Sequence, residues 1–406
     1  MKNIPTAYDL ACRRIIAPRE TINDSEESEL DIDFIEIPEF SNREDVVVEK
    51  GKNETSFLNK DNNEEETNLW DVIVEQPTKK SYDEKPIEVH WNGHFLDYGG
   101  FARMNRVMAF GLSDKGVSVK VDIEPNLLVH VNKETQKQLK IMSQTKISKN
   151  APKVYGVTVP TNLSHGGRKI LYTMIETSDQ VHRDYIGKLN LVDEVWVPTN
   201  YGKKILESSG IHVPVYIMPL GVDTDRYTDG LDKFSFGTST KSFKFISVFR
   251  WSFRKGYDIL LRSYLEEFSH NEDVSLIIVS RSVDSPEDVG PKRIISDFND
   301  IKSMVGKKEN ELPHVGLYNK PIPERDMPKV YNGANAFVLI SRGEGFGLIY
   351  LEASSCGLPI IGSNCSGQSD FLNDDNSYLV SPSGYIESNI NGQLSQMAKS
   401  CRFYEG

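Results

Sequence analysis

The sequence predicts an α/β protein in which two Rossmann-like domains follow an acidic N-terminal extension. From residue 86 onward, short apolar runs alternate with amphipathic stretches, which is typical of strands alternating with helices. This alternation is interrupted at residues 221–242 by a segment rich in Gly, Asp, Ser and Thr, which predicts a linker between two domains. The third observation is the charge: residues 1–85 hold 22 Asp and Glu against 11 Lys and Arg, which is nearly all of the net charge of −12.

The extension, residues 1–85, contains few periodic apolar residues and many Asn, Glu and Ser, as in "NDSEESELDIDF" and "KDNNEEETNL". A chain of this composition cannot bury enough apolar surface to offset the entropy lost on ordering, so we expect it to be disordered. The remaining residues are nearly neutral and show no basic stripe. Nucleic-acid binding is therefore not expected.

The first domain is predicted over residues 86–220 and the second over residues 243–406. In the first, the predicted strands are "IEVHWNG", "VSVKVDI", "KVYGVTV", "KILYTM", "DEVWVP" and "VYIMP", with helices at "FARMNRVMAFGLSDKG" and "YGKKILESSG". In the second, the predicted strands are "FKFISVF", "VSLIIVS", "HVGLY", "AFVLI" and "LPIIGS", with helices between them. Parallel sheets bind ligands beyond the carboxyl ends of their strands, so a ligand is expected in the cleft between the domains.

Two glutamates lie eight positions apart in "SRGEGFGLIYLEASSC", residues 341–356. Glu344 falls in the turn after a predicted strand, and Glu352 falls on the following helix. They straddle a helix N-terminus, where free backbone N–H groups and the helix dipole attract anions. A sugar–diphosphate–ribose has the matching order of groups, with hydroxyls for the carboxylates and phosphates between them. The alternative is that both glutamates are solvated surface residues, which the glycines on either side of Glu344 make less favoured.

Two cations are predicted at the same edge of the second sheet, in "SVFRWSFRKG". Arg250 ends the first strand of the domain, and Lys255 precedes the next helix. Together they would neutralise a diphosphate and stabilise the charge that develops when it leaves. An ordinary solvated basic loop is the alternative.

These segments resemble the retaining, GT-B-fold glycosyltransferases of family 4. The resemblance extends from residue 88 to about residue 400. It rests on "FRWSFRKG", on the Glu-x7-Glu of "SRGEGFGLIYLEASSCGLPII", and more weakly on "LVDEVWVPTNYGKKIL", "IMPLGVDTDRY" and "HWNGHFLDYGGFARMNRVMAFGLSDKGVSVKV". It implies transfer of a sugar from a nucleotide-diphosphate sugar to an acceptor hydroxyl with retention of configuration, and it implies neither a metal ion nor a cofactor. The acceptor, whether glycan, lipid or another hydroxyl compound, and the donor base stay open.

The resemblance also implies roles for particular residues. Arg250 and Lys255 hold the donor diphosphate, Glu344 contacts the hydroxyls of the transferred sugar, and Glu352 holds the ribose. The residues whose backbone approaches the donor are Gly345, Phe346, Gly347 and Leu348 in the second domain, and Gly99 and Gly100 in the glycine turn of the first.

The sequence departs from the family in two places. Many members have a histidine near the anomeric carbon, where "ILYTMIETSDQVH" places Glu176 and Thr177. Glu176 is expected either to contact the sugar or acceptor or to cap the following helix; His94 and His90 are either acceptor contacts or packed loop histidines. Family members also continue past a helix matching "NINGQLSQMAKSCRFYEG" into a last helix, whereas this chain ends at Gly406, so either a fragment or a naturally shortened form is expected.

Other classes fit less well. "GEGFG" is not the GxGxxG of a dinucleotide oxidoreductase, and Asp223 and Asp225, which could form the Asp-x-Asp of a metal-dependent GT-A transferase, fall in the linker. A non-catalytic sugar-nucleotide-binding or scaffolding protein remains the alternative. The four cysteines show no metal spacing, and the sequence has no signal-peptide pattern and no apolar run of about 18 residues. We expect a cytoplasmic protein without a membrane span, with peripheral membrane contact left open.

Overall fold

The computed structural model describes eight parts of the chain, residues 87–97, 99–123, 131–160, 162–237, 240–281, 291–319, 322–387 and 399–402. The predicted disordered extension, residues 1–85, lies outside them. Among the described helices, none combines the length and the apolar composition that crossing a bilayer requires.

The first sheet has six parallel strands in the order β2-β1-β3-β4-β5-β6. The strands are β1 (Glu88–Gly93), β2 (Ser118–Ile123), β3 (Lys153–Gly156), β4 (Lys169–Tyr172), β5 (Glu194–Val197) and β6 (Val215–Ile217). The helices between them are α1 (Gly100–Asp114), α2 (Lys133–Ser143), α3 (Arg183–Leu189) and α4 (Asn200–Ser208). Because β2 and β3 lie on opposite sides of β1, the strand order reverses at β1, whose carboxyl end leads to the glycine turn.

The second sheet also has six parallel strands, in the order β12-β11-β10-β7-β8-β9. The strands are β7 (Phe243–Arg250), β8 (Val274–Arg281), β9 (His314–Tyr318), β10 (Ala336–Leu339), β11 (Ile360–Ser363) and β12 (Tyr378–Val380). The helices are α5 (Tyr257–Glu267), α6 (Pro291–Val305), α7 (Met327–Asn332) and α8 (Leu348–Ser355). Here β7 is flanked by β8 and β10, so the loops that follow β7 and β10 emerge side by side.

The predicted fold class, two parallel-sheet Rossmann-like domains, is confirmed. The central strand β10 is buried along its whole length, which is why it appears in the sequence as an unbroken apolar run. In the first sheet, Tyr172 packs edge-on between Trp91 and Trp196, with ring centroids 6.5 and 6.1 Å away. Among the helices and strands of these two sheets, α2, α3 and β12 were not predicted.

The predicted linker, residues 221–242, packs against the second domain. Tyr227 is fully buried, and the amide of Phe234 donates to the carbonyl of Lys329 at 2.9 Å. The Phe234 ring also lies edge-on to Tyr318, with centroids 5.2 Å apart. These contacts tie the segment to the second sheet, while the predicted domain boundaries themselves stay predictions.

The predicted C-terminal helix is wrong for residues 399–402. Lys399–Arg402 forms β14, which pairs antiparallel with β13 (Gly384–Glu387). Inter-strand pairing satisfies the backbone of both segments, and this tertiary partner overrides a weak local helix signal. The rest of the predicted helix lies outside the described residues.

Candidate functional site

The two loops that emerge beside each other in the second domain form the centre of the candidate site. After β7, the chain makes a 3-10 turn at Phe253–Lys255 and then bends at Gly256, whose φ is 66°. A side chain at Gly256 would collide with the carbonyl of Ile340 in the loop after β10, so this glycine is what lets the loops touch. The contact is closed by the Arg342 amide, which donates to the carbonyl of Arg254 at 2.7 Å.

Glu344 and Lys255 form a buried ion pair where these loops meet. The Lys255 Nζ lies 2.5 Å from one carboxylate oxygen of Glu344, and Arg254 Nη1 lies 3.4 Å from the other. Burial alone would raise the pKa of Glu344, but Lys255 and Arg254 together hold this pKa below its ordinary value. Burial lowers the pKa of Lys255, and the carboxylate of Glu344 partly offsets that effect. Glu344 is thus an ionised carboxylate inside the protein, held by two cations.

Arg254, which the sequence interpretation did not single out, connects this pair to the first domain. Its Nη2 lies 3.1 Å from Glu176 Oε1, and its Nη1 donates to the carbonyl of Gly343 at 2.5 Å. Arg254 precedes Lys255 in "FRKG", so its position next to a predicted site residue could have identified it from the sequence. Burial opposes its charge, yet Glu176 and Glu344 raise the pKa of Arg254. Two carboxylates and two cations therefore alternate across the cleft.

Glu176 is one of the predicted residues that the structure brings to this cluster. The alternative, that it caps the next helix, is wrong, because α3 begins at Arg183 and its N-cap is His182, whose side chain accepts from the Asp184 amide. The turn after β4 is instead held by Thr177, which donates to the carbonyl of Gln180. Glu176 is left to face Arg254 from the first domain.

Arg250, predicted to hold the diphosphate, lies at the exposed end of β7. In the part of the chain that the structure describes, it forms no ion pair. Arg342 differs: its guanidinium is buried, makes two hydrogen bonds of 2.7 Å to Asp258, and lies over the Phe253 ring at 3.8 Å. Arg342 therefore fastens the two loops together, whereas Arg250 stays at the edge of the sheet.

The loop that carries Glu344 touches the first domain directly. A Cβ added to Gly345 would lie 2.5 Å from the Cβ of Met174, and Thr199 Oγ1 donates to the Gly345 carbonyl at 3.4 Å. Asp370, at the end of the next 3-10 turn, accepts from the amides of Asn200 and Tyr201 at the start of α4. Only glycine at position 345 permits this approach.

We expect Gly345→Ala to reduce the free energy of unfolding by about 1 to 3 kcal/mol, the usual effect of forcing extra atoms into a packed interior. The new methyl group would meet the Met174 backbone and Cβ, which cannot rotate away. Urea denaturation measures the change. Gly187→Ala is the matched control, because a Cβ there meets nothing within 4 Å. A Gly345→Ala variant as stable as the parent would contradict the close approach.

The backbone that the sequence predicted to approach a donor surrounds the start of α8. Gly347, with φ 94°, precedes the helix, and none of the described side chains caps its N-terminus. A Cβ on Gly347 would lie 2.9 Å from the Tyr350 ring. Phe346 is buried against Phe371, with ring centroids 5.2 Å apart, and Leu348 begins the helix. The first amides of α8 thus lie within a few residues of Glu344.

Glu352 lies on α8 and is only 2% exposed. It accepts a hydrogen bond of 2.8 Å from the Tyr331 hydroxyl and forms an ion pair with Arg103, which lies in the first turn of α1 in the first domain. The guanidinium of Arg103 also lies 5.3 Å from the centre of the Tyr227 ring. Although burial opposes its charge, Tyr227 and Glu324 raise the pKa of Arg103. The predicted ribose-binding carboxylate is therefore engaged with the opposite domain.

The sequence interpretation also missed Arg103, although it follows the predicted glycine turn by three residues. Three arginines lie near a second acidic residue, Glu324. The distances from their guanidinium nitrogens to the Glu324 carboxylate are 4.0 Å for Arg103, 3.5 Å for Arg106 and 3.6 Å for Arg226. Arg106 in turn donates to the carbonyls of Phe95 and Asp97. This cluster links the glycine turn of the first domain to the second domain.

The glycine turn itself is held by Asn105. Its amide donates to the carbonyls of His94 and Gly156 at 2.9 and 2.8 Å, and its oxygen accepts from Trp91 Nε1. Gly99 caps α1 with an extended backbone, and a Cβ on Gly100 would meet nothing within 4 Å. His94 contributes its carbonyl to this network. His90 instead lies within β1, where its Nε2 is 2.6 Å from Asp122 on β2.

The side chains of Asp223 and Asp225, weighed as a metal motif, lie in the segment between the sheets. Asp223 accepts from the amide of Arg226 at 3.1 Å, which makes it a turn residue. Within the described ranges, no three or more His, Cys, Asp or Glu side chains cluster as metal ligands would.

Comparison with known proteins finds glycosyltransferases similar to this chain in sequence and in fold. Residues 230–391 match the family described as glycosyl transferases group 1. Over 73% of the chain, the fold matches sucrose-phosphate synthase from Thermosynechococcus elongatus with a TM-score of 0.53 at 15% identity, covering 86% of that protein. A glycosyltransferase from Rickettsia africae matches 74% of the chain with a TM-score of 0.52 at 12% identity, also covering 86% of its own length. The chain has the GT-B fold, and its residues 230–391 are similar to the group 1 glycosyl transferases.

Curated relatives match shorter segments. A GDP-mannose-dependent alpha-(1-6)-phosphatidylinositol monomannoside mannosyltransferase from Mycolicibacterium smegmatis is 28% identical over 169 residues, which is 39% of this chain and 40% of the relative. The O-antigen chain mannosyltransferase B of Escherichia coli is 38% identical over 69 residues, 17% of each protein. The chain thus matches less than half the length of these relatives.

Proposed function

We propose that this protein is a retaining glycosyltransferase of family 4 that moves a sugar from a nucleotide-diphosphate sugar to an acceptor hydroxyl without a metal ion or cofactor. The observation that carries the proposal is the buried Glu344, held by Lys255 and Arg254 within a few residues of the uncapped N-terminus of α8. The group 1 family match over residues 230–391 and the names of the mannosyltransferase relatives support the donor class.

The charges of the cluster fit a diphosphate donor. Glu344 and Glu176 neutralise Lys255 and Arg254, and the amides at the start of α8 offer an anion site beside them. A donor diphosphate at these amides would share the two cations, with the exposed Arg250 adding a third from the end of β7. Glu344 would then accept hydrogen bonds from the hydroxyls of the transferred sugar.

In the proposed reaction, the bond between the anomeric carbon and the β-phosphate oxygen breaks, and a bond to the acceptor oxygen forms on the same face. The acceptor proton passes to the departing phosphate oxygen, so no protein base is needed. Catalysis rests on positioning and on electrostatic stabilisation of the departing diphosphate. Glu176, which pairs with Arg254 from the first domain, would contact the sugar or the acceptor.

The proposal is tested by incubating the protein with UDP-glucose and with GDP-mannose and measuring nucleotide-diphosphate release, beside thermal shifts with the same compounds. A ligand at 100 times its dissociation constant raises the free energy of unfolding by roughly 2.7 kcal/mol, so the nucleotide-sugar that binds will raise the melting temperature. Turnover is expected to survive EDTA, because cationic side chains replace the ion. An absolute requirement for Mn²⁺ or Mg²⁺ would contradict metal independence.

Binding without any turnover, with every acceptor tried, would favour the alternative of a non-catalytic sugar-nucleotide-binding or scaffolding protein. Retention is tested separately, by following the anomeric configuration of the product by NMR. A product of inverted configuration would overturn the family 4 assignment while leaving sugar transfer intact.

A further inference from the structure

Ser366 has an unusual backbone conformation. It lies in the loop after β11, and its φ of 63° and ψ of −157° form a combination that glycine adopts easily and L-residues rarely do. Among the described residues other than glycine, it is the one with a positive φ. Its side chain is completely buried. Strain of this kind persists only where the surrounding structure holds it in place.

The surroundings hold the Ser366 hydroxyl in one direction. Ser366 Oγ accepts from the amide of Glu344 at 2.9 Å and donates to Gln368 Oε1 at 3.0 Å. The amide nitrogen of Gln368 donates in turn to the carbonyl and to the hydroxyl of Ser363, at 3.1 and 3.0 Å. Because Gln368 is fixed by Ser363, the lone pairs of the Ser366 hydroxyl point toward Glu344.

The next residue, Gly367, binds the carbonyl side of Glu344. The Gly367 amide donates to the Glu344 carbonyl at 2.9 Å. A Cβ on Gly367 would lie 2.8 Å from that carbonyl oxygen and 2.5 Å from the carbonyl oxygen of Gly345. Ser366 and Gly367 therefore hydrogen-bond to both backbone polar groups of Glu344, the amide and the carbonyl. This arrangement requires the positive φ at Ser366.

We propose that Ser366 is a positioning residue for the transfer reaction, whose strained backbone lets its hydroxyl fix the backbone of Glu344 and hence aim the carboxylate at the transferred sugar. This inference rests on the proposed function, since it takes the transferred sugar to be the group that the Glu344 carboxylate contacts. Glycine would adopt the same conformation without strain but supplies no hydroxyl. A serine here keeps the hydrogen bond to Glu344 in spite of the strain.

The test compares Ser366→Ala and Ser366→Gly, which both lack the hydroxyl but differ in strain. Calorimetric titration uses UDP with UDP-glucose, or GDP with GDP-mannose, according to which pair the parent binds. Both variants are expected to bind the nucleotide-sugar about tenfold more weakly, the effect of one lost hydrogen bond, and to bind the free nucleotide diphosphate within about twofold of the parent. Ser366→Gly fits the backbone without strain, so a folded variant is available.

Ser377→Ala is the matched control, because the Ser377 hydroxyl donates within an exposed turn, to the carbonyl of Asn373. Parent-like affinity of Ser366→Gly for the nucleotide-sugar would overturn the proposal. Equal losses for both ligands, in proportion to lost stability, would also overturn it, since they indicate a merely structural serine. Glu344→Ala, measured alongside, distinguishes a failure of the Ser366 proposal from a failure of the proposed function. If Glu344→Ala also binds both ligands like the parent, the proposed function itself is wrong.

Discussion

Lys255→Ala is expected to lower turnover by about 10² to 10³-fold, the usual effect of removing one preorganised group that stabilises developing charge. Lys255 is buried and lies 2.5 Å from Glu344, at the edge of the sheet where the donor diphosphate would depart. Interactions that strengthen in the transition state appear in the rate, so the affinity for the donor should fall much less. Steady-state rates beside calorimetric titration separate the two quantities.

The exposed Arg250 offers a graded comparison. Arg250→Ala should also reduce turnover more than affinity, but less than Lys255→Ala does, because solvent screens its charge. Lys203→Ala is the control, since Lys203 lies on the surface in a pair 4.0 Å from Glu207 on the same helix. Circular dichroism must show that each variant is folded. If Lys255→Ala raises KM and leaves kcat unchanged, Lys255 contributes only to binding.

Glu352→Ala is expected to reduce the free energy of unfolding by about 3 kcal/mol, the lower end of the usual loss for a broken buried pair, because Arg103 loses its close carboxylate partner and keeps Glu324 at 4.0 Å. Tyr331 would lose its acceptor as well. The variant should in addition bind the donor and the free nucleotide diphosphate more weakly by roughly 1.5 to 3 kcal/mol each, if Glu352 holds the ribose, because ribose contacts do not change during the reaction. Urea denaturation and titration measure the two effects independently.

A double-mutant cycle with Arg103→Ala identifies the source of the loss. The double variant should be less destabilised than the two single losses added together, since removing Arg103 also removes the charge that Glu352 had balanced. Glu352→Gln keeps the shape and an acceptor for Tyr331 but lacks the charge, so its stability should lie between those of the parent and of Glu352→Ala. Additive losses would show that the Arg103–Glu352 pair does not couple the domains energetically.

Much of the fold could be predicted because its signals are local. The strand β10 is buried throughout and therefore appears as an unbroken apolar run, and glycines such as Gly357 stand where helices end. The helices α2 and α3 were not predicted. The first buries only Leu139 and Met142 and is polar apart from Ile141, and the second is a short helix of 7 residues, so neither presents a long apolar stripe.

By itself, the sequence determined the α/β class, the two sheets, and the placement of Glu344 and Lys255 at the carboxyl ends of strands, because hydrophobic period and turn residues act within a few positions of the chain. Only the tertiary structure decided which charges meet. Arg254 pairs with Glu176 and Arg103 pairs with Glu352 across the two domains, and Ser366 has its positive φ because the loop must reach the Glu344 backbone. Such partners are set by how distant segments pack, and no local pattern encodes that packing.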